Sequence, residues 1–386
     1  MCRGHYARGR ADVSQERGGD LTSCLVAWRT TQLRDRQVVD ALVHPAHAAP
    51  SAELSRHLAG WPGSAYWSDE ADGRHVVLTR RWPRPPERWA LHAGLLIATL
   101  FTTTYAGAIL AGAIQPGHLL GLFTEFALTR DALRAWAAGL RFSLPLLAIL
   151  LAHELGHYLT ARRYGLDASP PYFIPVPLWP SFIGTMGAFI RLRTMLSDRR
   201  QLIDVGAAGP FAGFVIALPV LALGLARSEP LPAVVGLQGM VIWFGALPVE
   251  LGDSLVTLAL RRLVGSGATA IALDPLAFAG WVGMMVTMLN LLPIGQLDGG
   301  HVLYAAVPQW HRPLAAGFWG LLLVLGWFGW PGWAVWAVLV LALSRGRLDH
   351  PPVLDRIRPL PRSRTAVALG ALLLFAITFA PVPFRI

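Results

Sequence analysis

Lysine is absent from the 386 residues, so all 33 basic side chains are arginine; they outnumber 23 carboxylates and leave a formal charge of +10. Charged residues of either sign make up only 15% of the chain, against about 25% in a soluble globular domain. That shortage argues against a cytosolic enzyme. Two cysteines, Cys2 and Cys24, are too few and too far apart for a disulfide framework or a cysteine-rich zinc site. No apolar run follows the N-terminal charges, so no signal peptide is expected, and Asp12, Glu16 and Asp20 argue against an organelle transit peptide. No Gly-x-Ser-x-Gly sequence occurs, which sets aside a serine nucleophile of that kind.

What abounds is apolar surface: 54% of residues are hydrophobic and the mean hydropathy is +0.47. Several windows of roughly 20 residues hold no charged side chain, the length a helix needs to cross ~30 Å of hydrocarbon. The arginines sit in short groups beside these windows, as topology signals do, rather than on one face that would suit nucleic acid.

The predicted spans are 90–114, 142–161, 205–226, 275–293, a helical hairpin over 313–344 broken at Trp330-Pro331-Gly332, and 365–382. The expected fold is an all-α polytopic membrane protein of about seven transmembrane helices. A short re-entrant, strand-like segment near 172–191 and a small polar N-terminal region complete it. Residues 1–88 form the polar region and 89–386 the membrane-embedded domain, whose core spans about 137–310. Within 1–88, Arg34 to Leu58 is read as one or two short helices, and Ser64 to Leu78 as a β-hairpin around Asp72-Gly73. Arginines flanking alternate windows, such as Arg80, Arg81, Arg162, Arg163, Arg199 and Arg200, outnumber those on the other side. The positive-inside rule then makes this a multi-pass protein of a cell membrane with a cytoplasmic N-terminus.

The chemistry is concentrated in His153-Glu154-Leu155-Gly156-His157, inside the second window. Helix positions i and i+4 share a face about 6 Å apart along the axis. Two imidazoles so placed can hold one zinc ion, with the glutamate after the first histidine as general base. Ionisable groups inside a membrane helix cost roughly 2.5–3.5 kcal/mol each and persist where they have a function. A third ligand is needed. Asp298, in Asn290-Leu-Leu-Pro293-Ile-Gly-Gln-Leu297-Asp298-Gly299-Gly300, is the candidate on the same side of the membrane; its structural alternative is the N-cap of a helix from about Gly299 to Val307. Glu250 is a weaker candidate on the opposite side. Gly209-x-x-x-Gly213 reads as a close helix-packing site that holds the third span against the zinc-bearing helix. His301 is a candidate for a group behind the ligands, while His92, His118, His350 and most tryptophans read as interfacial or loop residues.

The paired motifs, His153–His157 in a membrane helix and Asn290-x-x-Pro293-x-x-x-Leu297-Asp298-Gly299 downstream, resemble the site-2 protease family of intramembrane zinc metalloproteases. Gly184-Thr-Met-Gly-Ala-Phe189, Ala208-Gly-Pro-Phe-Ala-Gly213 and His350-Pro351-Pro352 resemble its bacterial, cyanobacterial and plastid branch. The resemblance implies one zinc per chain held by His153, His157 and Asp298, water activation by Glu154, and contact of Asn290 with the substrate carbonyl. It implies that 184–190 offers an edge to a substrate strand, and that the partners are a protein with a transmembrane helix and the lipid bilayer, without nucleic acid. A membrane metal transporter, or a non-catalytic metal-binding membrane protein using the same side chains, is the alternative.

Overall fold

The structure, a computed structural model, describes residues 21–32, 36–49, 51–81, 86–114, 130–176, 183–193, 196–232, 237–264, 268–351, 353, 355 and 359–385. Its first unit is an antiparallel sheet of β1 (Leu25–Gln32), β2 (Arg36–Val43), β3 (Gly63–Glu70) and β4 (Gly73–Arg81), in the order β1-β2-β4-β3. Period-two alternation puts Val39, Ala41 and Val43 of β2 and Val76 and Leu78 of β4 on one face, against Leu54 of helix α1 (Ala52–Ala59). Ser51 caps α1 by accepting from the Leu54 N–H at 3.1 Å. The expected hairpin over 64–78 is present, with its turn at Ala71–Asp72 because Glu70 pairs with Gly73. Of Arg34–Leu58, the second half holds the expected short helices, a 3-10 turn at Pro45–His47 and α1, while the β-branched run of β2 pairs as a strand.

Three long helices build the membrane core: α2 (Trp89–Leu110), α3 (Arg130–Arg163) and α4 (Arg199–Leu225). Among the described residues these alone are both long and apolar enough to cross a membrane, α3 from Leu133 onward. The remaining helices are α5 (Leu255–Val264), α6 (Pro275–Asn290), α7 (Asp298–Ala306), α8 (His311–Phe328), α9 (Gly332–Leu343) and α10 (Arg362–Thr378). The expected all-α, seven-span fold is therefore overturned. The 16 residues of α6 reach only about 24 Å, because the Asp274 cap and Pro275 fix its start and the Leu291–Pro293 turn its end. The described residues also carry three sheets.

The strand-like segment is present as the hairpin of β5 (Tyr172–Pro175) and β6 (Thr185–Phe189). The third sheet was unforeseen. It runs β11-β9-β8-β10-β7 and is built from β7 (Glu229–Pro230), β8 (Gly239–Phe244), β9 (Leu247–Leu251), β10 (Ala270–Ala272) and β11 (Phe384–Arg385). A two-residue turn, in which Gly245 takes φ +65°, joins β8 to β9.

Because β11 pairs with β9, residue 384 lies at the same end of the core as the strands that follow α4. α8 and α9 pack on each other across the Trp330-Pro331 break, with Trp319 Nε1 donating to Ala337 O at 3.0 Å and Gly326 against Ala334, so 313–344 is a helical hairpin. The main core joins α3, α4 and α6 through Phe142, Leu146, Ile149, Leu221 and Phe278. Two tryptophans expected at the interface are core residues instead. Trp281 donates to Gly252 O at 3.0 Å and Trp333 to Pro381 O at 2.7 Å, so each buried indole N–H has a partner.

Candidate metal centre

The i, i+4 spacing on α3 does what helical geometry requires: His153 and His157 project together, with ring centroids 4.9 Å apart. Both are buried, as is Glu154 between them. The turn after α6 returns the chain so that Asp298, the first residue of α7, meets them; Leu297, not Asp298, occupies the cap position. Asp298 Oδ2 lies 3.3 Å from Nε2 of each histidine, and the two Nε2 atoms are 3.1 Å apart. Glu250 stands at the far end of the core, where its carboxylate accepts from Gln238 N at 3.0 Å.

Hydrogen bonding fixes what these atoms can be. His157 Nδ1 donates to Val205 O at 2.7 Å, so the neutral ring presents a lone pair at Nε2. Asn290 Nδ2 donates toward His153 Nε2 at 3.3 Å. Two imidazole nitrogens and a carboxylate oxygen thus converge, an arrangement that a cation held between them would stabilise. The separations match the edge of a tetrahedron of zinc ligands, about 3.3–3.4 Å for bonds of 2.0–2.1 Å. His153, His157 and Asp298 fit zinc in donor type, spacing and burial.

Gly209 and Gly213 of α4 are the neighbours that permit this. A Cβ at Gly209 would stand 2.1 Å from His157 Nε2, and one at Gly213 3.2 Å from His153 Cβ. The expected packing of α4 on the histidine helix is present, but Gly209 faces a ligand atom rather than a helix backbone. Behind α4, Asp204 binds the Arg364 guanidinium at 2.7–3.1 Å and accepts from Tyr164 at 2.5 Å, fixing the turn that supplies the Val205 carbonyl.

The cluster lines a cavity of about 550 Å³. One wall is β6 and its continuation, Ala188 to Leu192; the other includes His350 and Pro351, between α9 and α10. Ser169 N donates to Arg191 O and Arg193 N to Asp167 O, so the backbone groups of Ile190 and Leu192 face away from the partner strand. Glu154 and Ile190 line the same cavity. The hairpin is held from three sides. Thr102 donates to Gly184 O at 2.6 Å, His92 Nδ1 donates to Pro171 O at 3.0 Å, and buried Arg193 binds both Glu87 and Asp167.

Sequence reasoning missed three participants. The Val205 carbonyl is backbone and leaves no signature, and the steric role of Gly209 was hidden within a helix-packing motif. His350 accepts from His301 Nδ1 at 2.7 Å while its own Nδ1 donates to Pro351 O at 2.5 Å. It therefore lines the cavity rather than an exposed loop; the His-Pro-Pro sequence was its only signal. His301 also lines the cavity but stands outside the three converging donors. His118 lies outside the described residues.

A buried cluster of two histidines and one aspartate on membrane helices, with a glutamate and a strand edge beside it, defines a metallopeptidase-type site within a membrane protein. Residues 141–326 match the model of peptidase family M50. The chain belongs to this family, the site-2 proteases, in the plastid-type branch. It is 30% identical over 321 residues to "Probable zinc metalloprotease EGY2, chloroplastic" of Oryza sativa subsp. indica, covering 80% of this chain and 53% of that protein. To the EGY2 protein of Arabidopsis thaliana it is 32% identical over 322 residues, 80% of this chain and 52% of the relative. Identity to EGY1 of Arabidopsis thaliana is 36% over 173 residues, 44% and 30% of the two chains. The chain thus spans about half the length, or less, of these curated relatives. No solved structure matches it significantly.

Proposed function

We propose that this chain is a zinc-dependent endopeptidase that hydrolyses peptide bonds of transmembrane or membrane-associated proteins, with one zinc per chain held by His153, His157 and Asp298. The observation that carries the reading is the convergence of two imidazole nitrogens and one carboxylate beside Glu154. Bound zinc supplies a Lewis acid and lowers the pKa of a water at its open position. Glu154 takes the proton of the attacking water and returns it to the departing amine. Asn290, whose amide already points at His153 Nε2, donates to the carbonyl oxygen of the substrate.

A helical substrate hides its carbonyls in intrahelical hydrogen bonds, so it must unwind to be cut. The outward-facing backbone groups of Ile190 and Leu192 offer the unwound segment a strand partner beside Glu154. Family membership lends no support to a metal transporter. The N-terminal sheet and the metal centre occupy the same end of the core, the end richer in arginine, which in this reading is the cytoplasmic face of a cell membrane. The substrate is a protein with a transmembrane helix, met within the bilayer; nucleic acid has no part.

The test is cleavage of a fluorescent transmembrane reporter in proteoliposomes, paired with zinc content by mass spectrometry. Glu154→Gln should retain zinc and lose at least about 100-fold in rate, in keeping with general-base contributions of 10²–10⁴. His153→Ala and Asp298→Ala should lose both zinc and activity. Undiminished cleavage by Glu154→Gln would overturn the mechanism.

A further inference from the structure

Between the N-terminal sheet and the membrane core lies a second cleft, of about 750 Å³, within the range of ~300–1,000 Å³ typical of small-ligand sites. Its charge is of one sign. Arg36, Arg80 and Arg81 line it, and among the described residues lining it none is acidic. The nearby Asp198 is engaged, capping α4 by accepting from Gln201 N at 2.8 Å.

Strand register creates the concentration of charge. Antiparallel pairing of β2 with β4 sets Arg36 directly opposite Arg81, and Gln37 opposite Arg80. Like charges directly across a ladder are destabilising, and this sheet places Arg36 and Arg81 so on one face, with Arg80, paired with Gln37, projecting from the other. Gln37 accepts from Arg80 Nε and holds that guanidinium in place. Around the arginines, Ser64 and Tyr66 add hydroxyl groups, a set suited to phosphate oxygens and the polar atoms attached to them.

The depth of the cleft selects the source of the anion. Tyr164 directly follows the last residue of α3, Gln201 lies in the first turn of α4, and Arg81 closes the strand that leads into α2. The core-side wall, Tyr164 to Leu166 with Ser197 and Gln201, therefore belongs to segments leaving or entering membrane-length helices, the level at which phosphate headgroups lie. We propose that this cleft binds the phosphate headgroup of an anionic lipid, seating the N-terminal sheet on the membrane next to the metal centre. The site uses no residue of the hydrolytic machinery.

The test uses the full chain in detergent, titrated with phosphatidylglycerol, phosphatidylcholine or inorganic phosphate, and read by native mass spectrometry and thermal melting. The wild type should retain one phosphatidylglycerol per chain at concentrations where phosphatidylcholine is not retained. The triple variant Arg36→Gln, Arg80→Gln, Arg81→Gln should lose that molecule, at about fivefold in affinity for each arginine. Should the triple variant not fold, Arg81→Gln alone, at an exposed position, should weaken retention about fivefold, with Arg81→Lys restoring most of it. Equal retention of the two lipids, unchanged retention by folded variants, or stabilisation by millimolar inorganic phosphate equal to that by phosphatidylglycerol would each overturn the proposal.

Discussion

Replacing Gly209 with alanine should dismantle the metal centre, whereas the same replacement at Gly213, one helical turn along, should not. The two glycines frame one small-residue motif on α4, and a helix-packing role alone would make them equivalent. Their surroundings differ. At Gly209 the new methyl carbon would stand 2.1 Å from Nε2 of His157 and 2.5 Å from two further ring carbons, over an ångström inside van der Waals contact. The imidazole must swing out, breaking its bond to Val205 O and withdrawing one of three ligands. At Gly213 the nearest atoms are 3.2 and 3.3 Å away, in His153, so a shift of a few tenths of an ångström accommodates the methyl.

Loss of a mere supporting contact to a metal ligand costs 10–100-fold in affinity. Loss of the ligand itself should therefore cost at least about 100-fold, or ~2.7 kcal/mol, beyond an overpacking strain of about 1–3 kcal/mol. Zinc titration against a competing chelator is the assay, with melting temperature as the control for folding. Gly209→Ala should bind zinc at least about 100-fold more weakly, and Gly213→Ala within about fivefold of wild type. Equal zinc affinity in the two variants would refute the reasoning.

Arg193→Met should leave Glu87 and Asp167 without their shared buried cation. Breaking a buried pair costs about 3–5 kcal/mol, and the hairpin β5–β6 should then exchange its amide hydrogens faster, with cleavage slowed and zinc retained. In the N-terminal sheet, His75 bonds Asp40 at 2.9 Å and Asp72 at 3.1 Å through its two ring nitrogens. Burial disfavours the imidazolium, but the two carboxylates outweigh it and raise its pKa above 6.5. That contribution to stability is complete below about pH 6.5 and fades as pH rises through the folded-state value. Melting of the wild type should therefore fall with pH across that window more than melting of His75→Asn does.

Legibility followed the range over which each signal acts. His153, Glu154 and His157 lie within one helical turn or so, and helix geometry alone converts their spacing into a shared face. Asp298 was readable because ionisable groups are scarce in this chain and the Pro293–Gly295 turn lets the segment fold back. The third sheet was not readable: β7 and β11 are two residues each, β8 is a short apolar run, and β9 is five residues that include Pro248 and Glu250, so their strand character comes from pairing, not composition. The count of spans failed for a related reason, since hydropathy sees that α6 and α9 are apolar but not where caps and turns cut them short. Val205 acts through its backbone carbonyl, which the identity of a side chain does not encode.

The pairing of β11 with β9 has a consequence for the sidedness of the molecule. The sheet it completes lies beyond the C-terminal end of α4, about 40 Å along that helix from the end that faces the N-terminal sheet. Epitopes placed before β1 and after β11 would consequently be reached from opposite compartments. In sealed vesicles of a single orientation, an impermeant label would find one of them and miss the other until detergent is added.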